Sequence, residues 1–257
     1  MKIIITKDYQ HMSAVTAKLV AKLVKEKPDL SFCTPAGGSP IGMYKELVKK
    51  AENKTIDFSR MRVCNMDEYV GLDKEHMQSY NFFVRYHFLN HIEYDNKNSV
   101  FLNALADDLD QECIRYNQGL DKLQLDLAIS GIGLNGHIAF NEPGESLTSR
   151  THVVDLHPAT IEANSRFFSV DEEIPQQAFS IGIADLMMTK NLLIVASGKN
   201  KAKVVASLFE NDQVTTQFPA SFLKMHPNCT VILDSESASM CDFKQSYRFQ
   251  FDVDFID

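Results

Sequence analysis

The sequence predicts an α/β fold: one open, mostly parallel, doubly wound sheet with helices on both faces (Rossmann-like) and a lid segment after the central strand. Three observations predict it. Short apolar runs alternate with longer stretches in which apolar residues recur at helical spacing, the signature of a parallel sheet covered by helices. Several runs end in glycines or polar clusters, as strands do where a loop begins. The 257 residues, 44% hydrophobic, contain no repeat, low-complexity tract or Pro/Gly/Ser-rich linker, so one domain over 1–257 is the simplest organisation.

In chain order, Lys2 to Thr6 is a β-branched first strand, and His11 to Lys27 is a helix with Val15, Leu19, Val20, Leu23 and Val24 on its apolar face, stopped by Pro28. Leu30 to Thr34 is the second strand. After it comes PAGGSPIGMYKELVKK, where Gly37 and Gly38 precede Ser39 as N-cap and Pro40 at the first helical position. Such a junction turns free N–H groups and the positive end of a helix dipole toward one spot, a ready anion site. Met61 to Met66 is the next strand, ending in Asp67, Glu68 and Tyr69. Adjacent side chains point in different directions, so one acid should face a cleft and the other should be structural. Ser79 to His91 is an aromatic-rich packing helix, and Asp108 to Leu120 is a further helix.

Leu125 to Ser130 is too short for a helix and reads as a buried strand, bounded by Gly131 and Gly133. Asn135, His137, Asn141 and Glu142 then crowd into the loop before Pro143. Parallel sheets bind ligands beyond the carboxyl ends of their strands, so the loops after Thr34, Met66 and Ser130 should make one site. Residues 143–175 are polar and irregular around a helix, HPATIEANSRFF, and form the expected lid, with Arg166 in that helix. Asn191 to Ser197 is a strand, followed by Gly198 and a helix from Lys201 to Phe209; Cys229 to Asp234 is the last core strand. The tail, residues 247–257, alternates apolar and polar residues as an edge or pairing strand does, serving either a subunit contact or closure of the sheet.

Composition excludes several classes. No apolar run approaches the ~18 residues of a membrane span, and the N-terminus turns polar too soon for a signal peptide, so a cytoplasmic protein is expected. Cys33, Cys64, Cys113, Cys229 and Cys241 lack CxxC spacing, which suggests neither a disulfide framework nor a metal site. A net charge of −8 argues against nucleic acid and membranes as partners, and an anionic substrate would need a locally positive pocket.

Two strings, NMDEYVGLDKEHMQSYNFF and GIGLNGHIAFNEPGESLTSRT, resemble the signatures of the glucosamine-6-phosphate deaminase family, the sugar-phosphate aldose-ketose isomerases that release ammonia. The glycine loop and ANSRFF match more loosely, and the likeness runs from about residue 30 to 235. It implies conversion of an amino-hexose 6-phosphate to a ketohexose 6-phosphate and ammonia without metal or organic cofactor, by a monomer or small homo-oligomer. It implies Asp67 as the base at C2, His137 as the acid-base group of ring opening, and Glu142 and Asn135 as its partners. It implies Gly37, Gly38, Ser39, Glu68, Gly136, Arg166 and Lys201 as the phosphate- and substrate-binding set.

Three positions depart from the family pattern. Ala36 replaces a Thr of the phosphate loop, and Asn135 replaces an Asp of long members, so a charge beside His137 would have to come from Glu142. His152 and Val154 stand where long members place basic residues for an allosteric acetylated sugar phosphate, so no such activation is expected. The competing readings are a galactosamine-6-phosphate deaminase, a 6-phosphogluconolactonase, and a sugar-phosphate binder without turnover. A transcription regulator's sensor domain is disfavoured, because residues 1–34 hold no helix-turn-helix.

Overall fold

The computed structural model describes residues 1–156, 161, 168–169, 172–243 and 252–256. Its strands are β1 (Lys2–Thr6), β2 (Ser31–Thr34), β3 (Arg62–Asn65), β4 (Asp67–Tyr69), β5 (Leu127–Ser130), β6 (His152–Asp155), β7 (Gln177–Ser180), β8 (Asn191–Ala196), β9 (Cys229–Asp234) and β10 (Asp252–Ile256). Its α-helices are α1 (Tyr9–Glu26), α2 (Ile41–Glu52), α3 (Tyr80–His87), α4 (Leu109–Leu123), α5 (Ile183–Met187) and α6 (Ala202–Glu210). Seven strands make one sheet in the order β10-β1-β9-β8-β5-β2-β3, each pair parallel. The other three form a small antiparallel sheet, β4-β7-β6.

The strands read as continuous apolar runs because both faces of the large sheet are covered. Alternate residues serve two cores. Phe32, Val63, Leu127, Ile129 and Leu193 pack with α1, α2 and α3, while Cys33, Cys64, Ala128, Leu192 and Ile194 pack with α4 and α6. The connection from β2 leads by way of α2 outward to β3, whereas β5 lies between β2 and β8 and its chain continues toward β8. The crevice between β2 and β5 is therefore the topological switch point, where open sheets receive ligands.

One buried carboxylate ties the opposite end of this region. Asp126, 3% exposed, accepts from Lys27 Nζ (2.6 Å), Lys190 Nζ (2.8 Å) and the Ser31 N–H (3.0 Å). Burial alone would raise its pKa, but the hydrogen bonds from Lys190, Lys27 and Ser31 outweigh it and hold the carboxyl at about 2. Its folded pKa is depressed, so its stabilisation is present above about pH 4 and is lost as pH falls toward 2. Both lysines are partly solvated, which limits the gain. Asp126→Asn should cost about 1–2 kcal/mol at pH 7, read as a lower denaturation midpoint, and the difference from the unsubstituted chain should vanish near pH 2.

Three details differ from the sequence reading, and the tail takes one of the two roles open to it, as an edge strand of the sheet. Ser39 does not cap α2: the Ile41 N–H reaches back to the Gly38 carbonyl (3.4 Å), the helix starts at Ile41 after Pro40, and no side chain of Pro40 can cap. The Tyr9 hydroxyl takes over, accepting from the Gly42 N–H (2.9 Å) and donating to the Gly38 carbonyl (3.1 Å). The stretch from Asp67 to Tyr69 leaves the large sheet and pairs with β7. Within the segment 143–175, residues 152–155 are the strand β6 rather than irregular chain, while most of HPATIEANSRFF, Arg166 included, lies outside the described residues. The tail supplies β10, which extends the sheet beyond β1 in register Lys2↔Asp252 to Thr6↔Ile256.

Candidate active site

A cavity of about 450 Å³ opens at the carboxyl ends of the strands. Its wall is drawn from the loops after β2, β3, β5 and β8, with Tyr80 from the start of α3. A larger cavity of about 710 Å³ lies elsewhere, but the smaller one collects the acid-base side chains.

Gly37, Gly38 and Ser39 line it on one side. Gly37 has φ +95°, a conformation that side chains resist, and this lets the turn expose its backbone. Among the described residues, no atom accepts from the N–H groups of Gly37, Gly38 or Ser39, and α2 starts immediately behind them. Free donors backed by a helix dipole suit a phosphate. Lys201, at the end of a 3₁₀ turn after β8, lines the same cavity and donates from Nζ to the Ile132 carbonyl (2.6 Å); burial lowers its pKa. Ser197 and Asn200 stand beside it.

Asp67 sits where the chain bends from β3 into β4. Asn65 pins the bend: its amide donates to the Asp67 carbonyl (3.0 Å), its side-chain oxygen accepts from the Leu102 N–H (3.0 Å), and its own carbonyl accepts from the buried Tyr116 hydroxyl. Asp67 is half-buried and lines the cavity. Burial, and then the neighbouring Glu68 carboxylate, push its pKa up to about 8.

Glu68, the adjacent acid to which the resemblance gives substrate binding, has its carboxylate turned into the protein. It is 1% exposed and does not line the cavity. Its oxygens accept from the Tyr69 N–H (3.0 Å), the Tyr80 N–H (2.9 Å), the Ser79 hydroxyl (2.8 Å) and the Asn81 N–H (2.8 Å), so it caps α3 and draws Tyr80 to the cavity. Tyr80 stacks on Phe140 at 6.1 Å. The aromatic stripe of α3 suggests only packing in the sequence; the link to Glu68 that brings Tyr80 beside Asp67 has no local sequence signal.

His137 Nδ1 lies 2.8 Å from Glu142 Oε1, and the Asn135 amide donates to Glu142 Oε2 (2.6 Å). A carboxylate only accepts, so its closeness favours a proton on Nδ1, which would leave Nε2 to exchange protons. The Asn135 carbonyl takes the backbone N–H of His137 (3.2 Å) rather than the ring. Asn135 therefore orients Glu142, and Glu142 orients the imidazole. The ring lies so close over Gly133 that a Cβ there would overlap it. Two residues on, Ala139 adopts φ +53°, held by the Phe140 N–H on Ser180 Oγ (3.0 Å) and by the buried Asn141 amide on the Ile138 and Ile181 carbonyls (2.9 and 2.8 Å).

Gly136 is also reassigned. Its N–H donates to the Gly133 carbonyl (2.9 Å), its carbonyl accepts from Ala220 (2.8 Å), and a Cβ at its φ of +88° would strike Phe218. Both of its backbone groups are engaged within the protein, so it closes the turn before His137 instead of meeting substrate.

Acid-base groups sharing a crevice with an anion cradle, at the switch point of a parallel sheet, define an α/β protein of the sugar-phosphate enzyme class. The chain belongs to the family of glucosamine-6-phosphate isomerases and 6-phosphogluconolactonases, whose family model matches residues 7–232. Among curated relatives, the glucosamine-6-phosphate deaminase of Thermoanaerobacter pseudethanolicus is 44% identical, with 93% of this chain and 95% of that one covered. That of Clostridium perfringens is 40% identical over 93% and 99%. A solved structure described as a monomeric glucosamine-6-phosphate deaminase superimposes with a TM-score of 0.89 at 39% identity, covering 93% of this chain and 100% of that one. A 6-phosphogluconolactonase from Trypanosoma brucei shares the fold, with a TM-score of 0.70 at 17% identity over 93% and 97%.

Proposed function

We propose that this chain converts glucosamine 6-phosphate and water to fructose 6-phosphate and ammonia. The observation that carries the reading is Asp67, a carboxyl with a raised pKa opening on the cavity that His137 and the glycine loop also line, in a chain 44% identical to a deaminase. The phosphate rests on the N–H groups of Gly37 to Ser39 and on Lys201, with Arg166 as a further cation, and this remote binding orients the reacting carbons. His137, positioned by Glu142, moves a proton to the ring oxygen and opens the pyranose. Asp67 takes the C2 proton; the released pair forms the C1–C2 double bond while the C1 oxygen is protonated. The amino group gives up a proton to leave an enolamine, and returning a proton to C1 makes an iminium at C2; water adds there, and proton transfer from the new hydroxyl to nitrogen expels ammonia as the ketone forms. No step calls on a metal or organic cofactor.

The raised pKa of Asp67 favours an amino sugar over a lactone. A cationic amino group at C2 supplies the counter-charge that both burial and Glu68 withhold, and its approach ionises the base where it is needed. No activation at the family's allosteric anion site is expected: burial lowers the pKa of His152, and Arg150 pairs with Asp121 (2.7 Å) and Asp185 (2.9 Å). We further propose a single unit over 1–257 with a lid in 143–175, acting in the cytoplasm as a monomer, as its solved relative is described. The partner is a small sugar phosphate rather than nucleic acid or membrane. Among the described residues, no helix is long and apolar enough to cross a membrane.

The test is ammonia release from glucosamine 6-phosphate and galactosamine 6-phosphate in parallel, with fructose 6-phosphate or tagatose 6-phosphate measured as the paired ketose. Faster turnover of the glucosamine compound supports the reading. Faster turnover of the C4 epimer reassigns the substrate, and binding of both without ammonia makes the chain a sugar-phosphate binder.

A further inference from the structure

The cavity of about 710 Å³ lies at the other end of β3: Arg62, which opens that strand, lines it, whereas Met66 and Asp67, just beyond the strand's end, line the candidate active site. Its wall is strongly cationic. Arg60, Arg62, Lys97, Arg115 and Lys122 are five of its fourteen lining residues, in a chain where 26 of 257 are Lys or Arg. Asp29 and Asp95 are its only acids, which leaves the wall at +3 (five cations less two carboxylates) on a protein of net −8. Glu112, behind the wall, pairs with Arg115 (2.6 Å), and the remaining cations, held close together, repel one another.

Two of the guanidinium groups are held rigid. Arg62 donates from Nε and Nη2 to the Asp29 carbonyl (3.2 and 3.0 Å). Arg115 donates from Nη2 to the Phe101 carbonyl (2.6 Å) and from Nε to Glu112 Oε2 (2.6 Å). In both, Nη1 and its two N–H groups remain for a ligand, on a fork whose orientation is already fixed. Among the described residues, Arg60, Lys97 and Lys122 enter no ion pair. Ser59, Asn98 and Gln118 add neutral hydrogen-bonding groups to the wall. Fixed guanidinium edges, mobile cations and neutral polar groups around a space of small-molecule size are what a phosphate ester requires.

We propose that this cavity is a second anion site, separate from the candidate active site, that takes a small phosphorylated metabolite. Inorganic pyrophosphate is the probe, measured by isothermal titration calorimetry at 0.1 M salt. The Lys201→Met variant serves as the background, because it removes the cation of the first site. In that background pyrophosphate should bind with Kd below about 1 mM. Adding Arg60→Ser and Lys122→Gln, both exposed positions, should weaken binding at least about tenfold while circular dichroism stays unchanged. If the triple variant does not fold, Lys97→Gln in the same background should give the same direction of change. No binding to Lys201→Met, or equal binding with and without the added substitutions, overturns the proposal. Neither result depends on which sugar phosphate the first site turns over.

Discussion

Asp67→Asn should lower kcat by about 10²–10⁴-fold while leaving the affinity for glucosamine 6-phosphate within a few-fold, the size and pattern expected when a group acting in the transition state is lost. The amide is nearly isosteric, and Asn65 grips the backbone of residue 67 rather than its side chain, so the bend survives. Two pH effects accompany the loss. Burial and Glu68 push the carboxyl of the free enzyme up to about 8, so kcat/KM should climb with pH through neutrality, reach half its maximum near pH 8 and level off above about pH 9. A profile flat from pH 6 to 9 would remove Asp67 as the base.

The same displacement makes the residue a burden on folding. Between its ordinary value of 3.8 and about 8, the native state holds a proton that the unfolded chain has released, so this group's contribution to stability falls as pH rises across that window. A tenfold change in an acidity constant is worth about 1.4 kcal/mol. Asp67→Asn, which has no proton to lose, should therefore melt at least about 2 °C higher than the unsubstituted chain at pH 8.5, with the gain shrinking toward pH 4. Greater stability together with lost turnover separates a functional carboxyl from one that merely packs.

What the sequence conveyed follows from how local each signal was. β9, from Cys229 to Asp234, matched its apolar run residue for residue, because a strand buried on both faces writes its length directly into composition. The gathering of the glycine loop, Asp67 and His137 in one cavity was also legible, since strand–loop–helix alternation sends those loops to one edge. The small sheet was not legible. DEY, HVVD and QAFS are three or four residues long, too short for a period of two to show, and DEY pairs with QAFS over a separation of about a hundred residues in sequence. The helix start at Ile41 was missed because its cap comes from Tyr9, 33 residues away. Glu68 and Gly136 matched family strings as well as Asp67 did, yet their hydrogen-bonding groups turn inward. A motif marks which residues sit near the chemistry, and only the partners of each polar atom tell which of them face it.

His137→Gln should lower kcat by about 10²–10⁴-fold, since ring opening loses its proton carrier. The part Glu142 plays can then be read from a cycle. Glu142 touches the imidazole and Asn135 and is not among the residues lining the cavity, so it acts on the reaction through His137. Glu142→Gln removes the charge that stabilises the imidazolium and offers Nδ1 an amide that can present either its oxygen or its NH₂, so the tautomer is no longer fixed. Alone it should cost about 10²-fold in kcat, with KM little changed. Combined with His137→Gln it should cost almost nothing further, because its effect has no carrier left. Additive losses would place Glu142 in direct contact with substrate. The order of action runs from Asn135, which donates to Glu142 and accepts from the His137 backbone, to the ring itself. A neutral residue at 135 is thus compatible with a working histidine: the negative charge sits one link along the chain of hydrogen bonds, on the carboxylate that faces Nδ1.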